Sequence, residues 1–156
     1  MHIICGPIGA GKTTRAQQLA RELPGVRFSL DEWIVTHFGK EMPEPMNIEW
    51  WTERADRCIT LIWAMCRQLL ALDVDVVLDC GAPSRAHREQ WRELAREAGA
   101  SVKLHVVTAD PSVRRERVRA RNRGKPETFA LTVTDAMFEG SEEWWEPPTA
   151  EELGDA

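Results

Sequence analysis

The sequence predicts a three-layer α/β fold in which a mainly parallel sheet of about four to five strands is flanked by helices. Short apolar segments alternate with longer segments of helical periodicity, which is typical of βαβ units. The apolar segments are nearly continuous rather than alternating, as in strands that are buried on both faces. The length of 156 residues corresponds to a single domain, 1–156.

Capping residues and loop composition set the expected boundaries. Ser84 and Asp110 are predicted helix N-caps, and Gly99 is a predicted helix C-terminus. Residues 38–47 contain glycine, two prolines and asparagine and are predicted to form a loop. Strands are predicted over 2–5, 26–31, 74–81 and 101–109. Helices are predicted over 12–23, 48–72, 84–100, 110–122 and 132–145, followed by a polar end with an acidic tail at about 149–156.

Composition indicates a cytoplasmic protein that does not enter a membrane. No apolar run approaches the roughly 20 residues of a membrane span. A glycine-rich motif begins at Gly6, which leaves no room for a signal peptide before it. The four cysteines show no metal-ligand spacing and are expected to be reduced thiols.

The most specific signal lies directly after the first predicted strand. Residues 6–13, GPIGAGKT, match G-x-x-x-x-G-K-[ST], the phosphate-binding P-loop. Glycines let backbone N–H groups approach phosphate oxygens, Lys12 reaches the β- and γ-phosphates, and the Thr13 hydroxyl binds Mg²⁺. The predicted ATP-binding residues are Gly6, Gly9, Ala10, Gly11, Lys12, Thr13 and Thr14.

Two aspartates follow the second and third predicted strands. Ligands of open α/β sheets bind beyond the carboxyl ends of the strands, so Asp31 is expected near the γ-phosphate. It is either a general base for an attacking hydroxyl or an N-cap of the next helix, with Glu32 a weaker candidate base. Asp79 ends an apolar strand in a Walker-B-like pattern and is expected to orient Mg²⁺ through water or Thr13.

The net charge of −5 conceals a strongly basic segment. Residues 114–125 hold seven Lys/Arg and one Glu, whereas residues 126–156 hold nine Asp/Glu and no Lys/Arg. The basic segment is either a solvated helix or an anion-handling lid over about 114–130, with Gly124 as its hinge. One helical face would carry Arg114, Arg117 and Arg121, leaving Arg115 and Arg119 facing solvent.

Four segments together resemble a known family. The segments GPIGAGKTT, SLDEW, VVLDCGAPSRAHREQWRELAREAGA and RVRARNRGKPETFALTVTDAMFE resemble the small P-loop kinases related to polynucleotide kinase, zeta toxin and chloramphenicol phosphotransferase. The resemblance covers about residues 1–148 and implies a nucleotide-kinase-like P-loop NTPase fold. It implies that Asp31 is the base, that Arg121 and Arg123 bind the transferring phosphate, and that Arg117 packs near adenine. The segment WWEPP would form the adenine-side loop.

The expected function is therefore an ATP- and Mg²⁺-dependent kinase acting on a hydroxyl of a small molecule, such as an antibiotic, a nucleoside or a sugar-like compound. One alternative is a polynucleotide 5′-hydroxyl kinase, which the overall acidic charge disfavours. Another is an ATP-dependent regulatory switch or ATPase. The sequence identifies neither the acceptor nor the oligomeric state. Three tryptophans on the predicted substrate side, Trp33, Trp50 and Trp51, either line the acceptor site or belong to the core.

Overall fold

A computed structural model of the chain describes residues 1–126 and 130–154. It contains a four-stranded, fully parallel sheet in the order β2-β3-β1-β4, which confirms the predicted fold class. The strands are β1 (His2–Cys5), β2 (Gly25–Ser29), β3 (Asp75–Asp79) and β4 (Lys103–Val106). The helices are α1 (Lys12–Glu22), α2 (Leu30–Phe38), α3 (Ile48–Leu70), α4 (Arg85–Glu97), α5 (Pro111–Gly124), α6 (Asp135–Glu142) and α7 (Ala150–Gly154), with a 3₁₀ turn at Gly39–Glu41.

Both faces of the sheet are covered, as the continuous apolar strands predict. On one face, Ile3 and Leu78 pack with buried residues of α2, α3 and α4. On the other face, Ile4 and Val77 pack against α1. Because successive strand residues point to opposite faces, the two central strands β1 and β3 contribute to both cores. Among the described residues, none of the helices is both long and apolar enough to span a bilayer.

The strand register brings three chain segments to one edge of the sheet. Ser29 pairs with Asp79, so β2 and β3 end side by side, and Ile3 of β1 pairs with Leu78. The loop after β1 and the start of α2 therefore meet beside Asp79. This edge is where ligands of parallel α/β sheets bind.

Several elements are shorter than predicted, and two of the differences bear on the site and on the C-terminal segment. Strand β2 ends at Ser29 rather than at residue 31, because the Ser29 side chain accepts a hydrogen bond from the Glu32 amide and caps α2. The segment predicted as an acidic tail contains α7, and its Glu152 is buried against Arg88. The last two residues of that tail, and residues 127–129 of the predicted lid, lie outside the described part of the chain.

Candidate active site

The loop between β1 and α1 is built on glycines with positive φ angles. Gly6, Gly9 and Gly11 have φ of 154°, 78° and 104°. A Cβ at Gly6 would collide with the Val107 carbonyl oxygen, and one at Gly9 would lie 2.6 Å from the Arg114 carbonyl oxygen. Glycine is thus needed for close packing against α5 as well as for the turn. Gly11 is the N-cap of α1 without a side-chain cap, so the first amides of α1 point into the loop.

Lys12 lies inside this loop. Its Nζ donates to the Pro7 carbonyl at 3.0 Å. Burial lowers the pKa of Lys12, while Asp31 and Asp79 raise it and Arg121 lowers it further. The ammonium group therefore shares one electrostatic environment with two carboxylates and one guanidinium.

Asp79 is held by a residue that sequence reasoning missed. Its side chain is 5% exposed and accepts a hydrogen bond from Arg27 Nη1 at 3.0 Å. The Thr13 hydroxyl also bonds to it. Burial raises the pKa of Asp79, and the Arg27 guanidinium and the Thr13 bond oppose that shift. A charged residue inside an otherwise apolar strand was the available signal for Arg27, which lies in β2.

The structure places Asp31 in the first turn of α2 and not at the end of a strand. Since Ser29 is the N-cap, the alternative of Asp31 as the capping residue is removed. The Asp31 residue is exposed, yet the surrounding protein atoms desolvate its carboxylate. This desolvation, together with repulsion from Asp79, raises the pKa of Asp31. The positive charges of Lys12 and Arg121 oppose that increase in pKa. The weaker candidate Glu32 instead pairs with Arg27 at 2.5 Å.

Helix α5 brings two of the predicted arginines to the loop. Arg121 Nε is buried and has no hydrogen-bond partner among the described residues. Burial lowers the pKa of Arg121, and the nearby Asp31 carboxylate raises it. Arg117 Nη1 donates to the Ala10 carbonyl at 3.3 Å. A groove of about 360 Å³ beside it is lined by Ala10, Gly11, Thr14, Arg15, Gln18 and Arg117.

Arg123 is exposed and does not share this position. Residues two apart on a helix point in nearly opposite directions, so Arg121 and Arg123 cannot both face the loop from α5. The left-handed residue at the end of α5 is Lys125, with φ of 40°, directly after the predicted hinge Gly124. Of the two arginines that the resemblance paired, the structure brings only Arg121 to the cluster.

The residues present fit Mg²⁺ and a triphosphate. No group of three or more His, Cys, Asp or Glu side chains in the described ranges could hold a metal ion alone. Asp79 and the Thr13 hydroxyl offer oxygen ligands at the loop, and Mg²⁺ commonly combines such a set with phosphate oxygens and water. The buried Arg121 Nε, which has no partner in residues 1–126 and 130–154, is a donor suited to a phosphate oxygen.

Comparison with known proteins identifies the family. The family described as AAA domain matches residues 1–148. The chain belongs to this family. A curated shikimate kinase of Chromohalobacter salexigens is 35% identical over 124 residues, which cover 80% of this chain and 63% of that protein. The chain thus spans less than two thirds of that relative's length.

Two solved structures share the fold of this AAA-domain chain. Chaetomium thermophilum Kti12 in complex with ADP-AlF3 has a TM-score of 0.71 and 19% identity, covering 97% of this chain and 83% of that one. A sugar kinase from Janibacter sp. has a TM-score of 0.68 and 17% identity, covering 97% and 80%. Together with the family match, they confirm the P-loop kinase-like fold that the sequence motifs indicated.

In this AAA-domain chain Arg114 is not part of an anion-binding face, contrary to the predicted grouping with Arg117 and Arg121. It is buried and donates to the Ile8 carbonyl at 3.1 Å and to Glu142 at 2.7 and 2.5 Å. Arg114 therefore stabilises the phosphate loop through the Ile8 carbonyl. The two arginines predicted to face solvent pair with acids of α6: Arg115 with Glu139 at 3.1 Å and Arg119 with Asp135 at 3.0 Å.

The predicted substrate-side aromatics are largely packing residues. Trp33, Trp50 and Trp51 are all half-buried against the core beneath α2 and α3. The segment WWEPP, for which the resemblance implies an adenine-side role that stays a prediction, packs beside the loop after β3. The Glu146 amide donates to the Pro83 carbonyl at 2.9 Å, so this segment pairs with the loop after β3, whereas Arg117 lies over the phosphate loop.

Proposed function

We propose that this protein is an ATP-dependent kinase that transfers the γ-phosphoryl group to a hydroxyl of a small molecule. One observation carries the proposal: the Asp31 carboxylate interacts with Lys12, Arg121 and Asp79 at the carboxyl edge of the sheet. A carboxylate with a raised pKa beside two cations suits a base that faces a phosphoryl group. The ligands would be ATP, Mg²⁺ and a hydroxyl-bearing acceptor.

Each group has a distinct task in the transfer. Asp31 accepts the proton of the acceptor hydroxyl as its oxygen attacks the γ-phosphorus, and the bond from that phosphorus to the β–γ bridging oxygen breaks to release ADP. Lys12 exchanges its bond to the Pro7 carbonyl for a phosphate oxygen. Arg121 donates to the γ-phosphoryl oxygens, where negative charge accumulates. Mg²⁺, when bound through Thr13 and Asp79, neutralises phosphate charge.

Binding of the rest of ATP is assigned to the loop and to α5. The backbone amides of Gly6, Gly9, Ala10 and Gly11, with Thr13 and Thr14, would bind phosphates. Arg117 borders the groove beside Ala10 and would pack near the base. We also propose a cytoplasmic location, since Cys5, Cys58, Cys66 and Cys80 are free thiols.

The names of two similar proteins support a small-molecule acceptor. The sequence relative is named a shikimate kinase, and one structural neighbour is named a sugar kinase. A nucleic-acid acceptor has less support. Arg114, Arg115 and Arg119 of the basic helix are paired with acids of α6, which reduces the charge available for a phosphate backbone. An arginine supplied in the same chain, Arg121, also favours a self-contained transferase over a partner-dependent switch.

A screen of ADP release tests the proposal. Antibiotics, nucleosides, sugars, shikimate-like hydroxy acids and oligonucleotides are offered as acceptors with ATP and Mg²⁺. A small-molecule hydroxyl compound should accelerate ADP release, and D31N should abolish the acceleration. D73N is the matched control, because Asp73 lies in the exposed turn before β3 and its positive φ of 56° suits asparagine. Acceleration by oligonucleotides alone would favour the polynucleotide kinase, and no acceleration by any acceptor would favour the switch.

A further inference from the structure

The chain directly after Asp79 adopts an unusual backbone conformation. Gly81 and Ala82 follow one another with φ of 87° and 69°. Ala82 is buried, and an alanine disfavours the left-handed region. Contacts from elsewhere in the fold must therefore hold this loop, which fixes the end of β3.

Arg88 of α4 supplies those contacts. It is 0% exposed, and its Nη1 lies 3.4 Å from the Ala82 carbonyl, 3.3 Å from the Pro83 carbonyl and 2.9 Å from the Glu146 carbonyl. One guanidinium nitrogen thus joins the loop after β3 to the C-terminal segment. No step of the proposed transfer uses Arg88.

Glu152 of α7 fixes the guanidinium in place. Its carboxylate, in a residue 2% exposed, accepts from Arg88 Nε at 2.7 Å and from Arg88 Nη2 at 3.2 Å. These bonds lower the pKa of Glu152 to about 2, so the pair stays charged. Removing either partner would leave the other charge buried and unpaired.

We propose that Arg88 is a positioning residue that orients Asp79 for Mg²⁺ binding. Glu152 connects the C-terminal segment 144–154 to Arg88, so this segment also helps to position Asp79. The pair holds Ala82 and Pro83, the loop holds the end of β3, and Asp79 at that end bonds to Thr13. This inference rests on the proposed function, since it assigns the pair to the binding of Mg²⁺ with the nucleotide.

ADP binding with and without Mg²⁺ tests the inference, followed through the fluorescence of the seven tryptophans. In R88K and E152Q, the Kd of ADP with Mg²⁺ should rise about 10-fold or more, as when outer-shell partners of a metal are removed. The Kd of ADP in EDTA should change by less than about 2-fold, because the phosphate loop is untouched. The matched control is R92Q: Arg92 donates to the main-chain carbonyl of Glu152 and lies 3.7 Å from its carboxylate, but within the described part of the chain it makes no bond to the loop after β3. R92Q should keep both constants while lowering the Tm.

The outcomes separate the two proposals. If the wild type binds ADP equally well with Mg²⁺ and with EDTA, this inference fails together with the Mg²⁺ site of the proposed function, while the transfer itself is judged by the ADP-release screen. If the wild type shows the Mg²⁺ effect and R88K and E152Q retain it, this inference alone fails; equal weakening in both conditions also overturns it. If the variants do not fold, amide hydrogen exchange of the wild type tests the inference instead. Adding Mg²⁺ to the ADP complex should increase protection in both 80–84 and 145–152, and an increase confined to 80–84 contradicts the coupling.

Discussion

Replacement of Gly9 by alanine tests whether the phosphate loop is packed against α5. Gly9 has a φ of +78°, and Gly99 at the end of α4 has a φ of +69°. Alanine costs about 1–2 kcal/mol in this backbone region, so G99A should lose about that much. At Gly9 the new Cβ would also lie 2.6 Å from the Arg114 carbonyl oxygen and 3.0 Å from Val118 Cγ2, whereas at Gly99 no atom of the described residues lies within 4 Å. Such overpacking adds about 1–3 kcal/mol, because a backbone oxygen cannot rotate away.

Thermal unfolding measures the difference directly. For a chain of this size each kcal/mol shifts the Tm by about 2–4 °C, so G9A should melt about 2–12 °C below G99A. The two variants share the same left-handed backbone cost and the same change in the unfolded chain. G9A should also weaken ADP binding, since displacing α5 moves Arg117 and Arg121. Equal melting temperatures for G9A and G99A would refute the close approach of α5 to the loop.

Two further predictions follow from the charges. His2 Nδ1 lies 3.0 Å from His105 Nε2, and burial lowers the pKa of both, that of His105 to about 4. The folded state therefore favours the neutral rings, and their full contribution to the free energy of unfolding should be present above about pH 6.5. This contribution should be lost as the pH drops towards about 4, which should lower the Tm by about 5–10 °C. H105L should flatten that slope in Tm measured against pH, and an unchanged slope would contradict the assignment. For α5, R121A should lower turnover about 1000-fold, as for other arginines that stabilise a transferring phosphoryl group, whereas R123A should change it less than about 3-fold. Similar losses in the two variants would show that both arginines act on the phosphate.

Local sequence patterns predicted the sheet, most helix boundaries and the phosphate loop, because these depend on residues close together in the chain. Ser84 caps α4, and Pro111 begins α5, as expected. The position of Asp31 was predicted only in part. The serine that precedes it by two residues begins α2 early and moves Asp31 from a strand end into a helical turn.

Contacts between distant residues escaped the sequence analysis. Arg27 and Asp79 are 52 residues apart, and Arg88 and Glu152 are 64 apart. Neither pair has a periodic signal, and each depends on strand order or on the path of the C-terminal segment. The role of Arg114 was mispredicted for the same reason. Its partner Glu142 lies in α6, and the position of α6 beside α5 depends on the tertiary fold. Basic and acidic segments were visible in the sequence, but their mutual neutralisation was not.

The turnover of D31N tests whether Asp31 is the base for the acceptor hydroxyl. ADP release with the most active acceptor should fall about 100- to 10 000-fold relative to the wild type and to D73N. Binding of ADP with Mg²⁺ should stay within about 3-fold, since Lys12, Thr13 and the loop amides remain. Undiminished turnover of a folded, nucleotide-binding D31N would show that Asp31 is not the base.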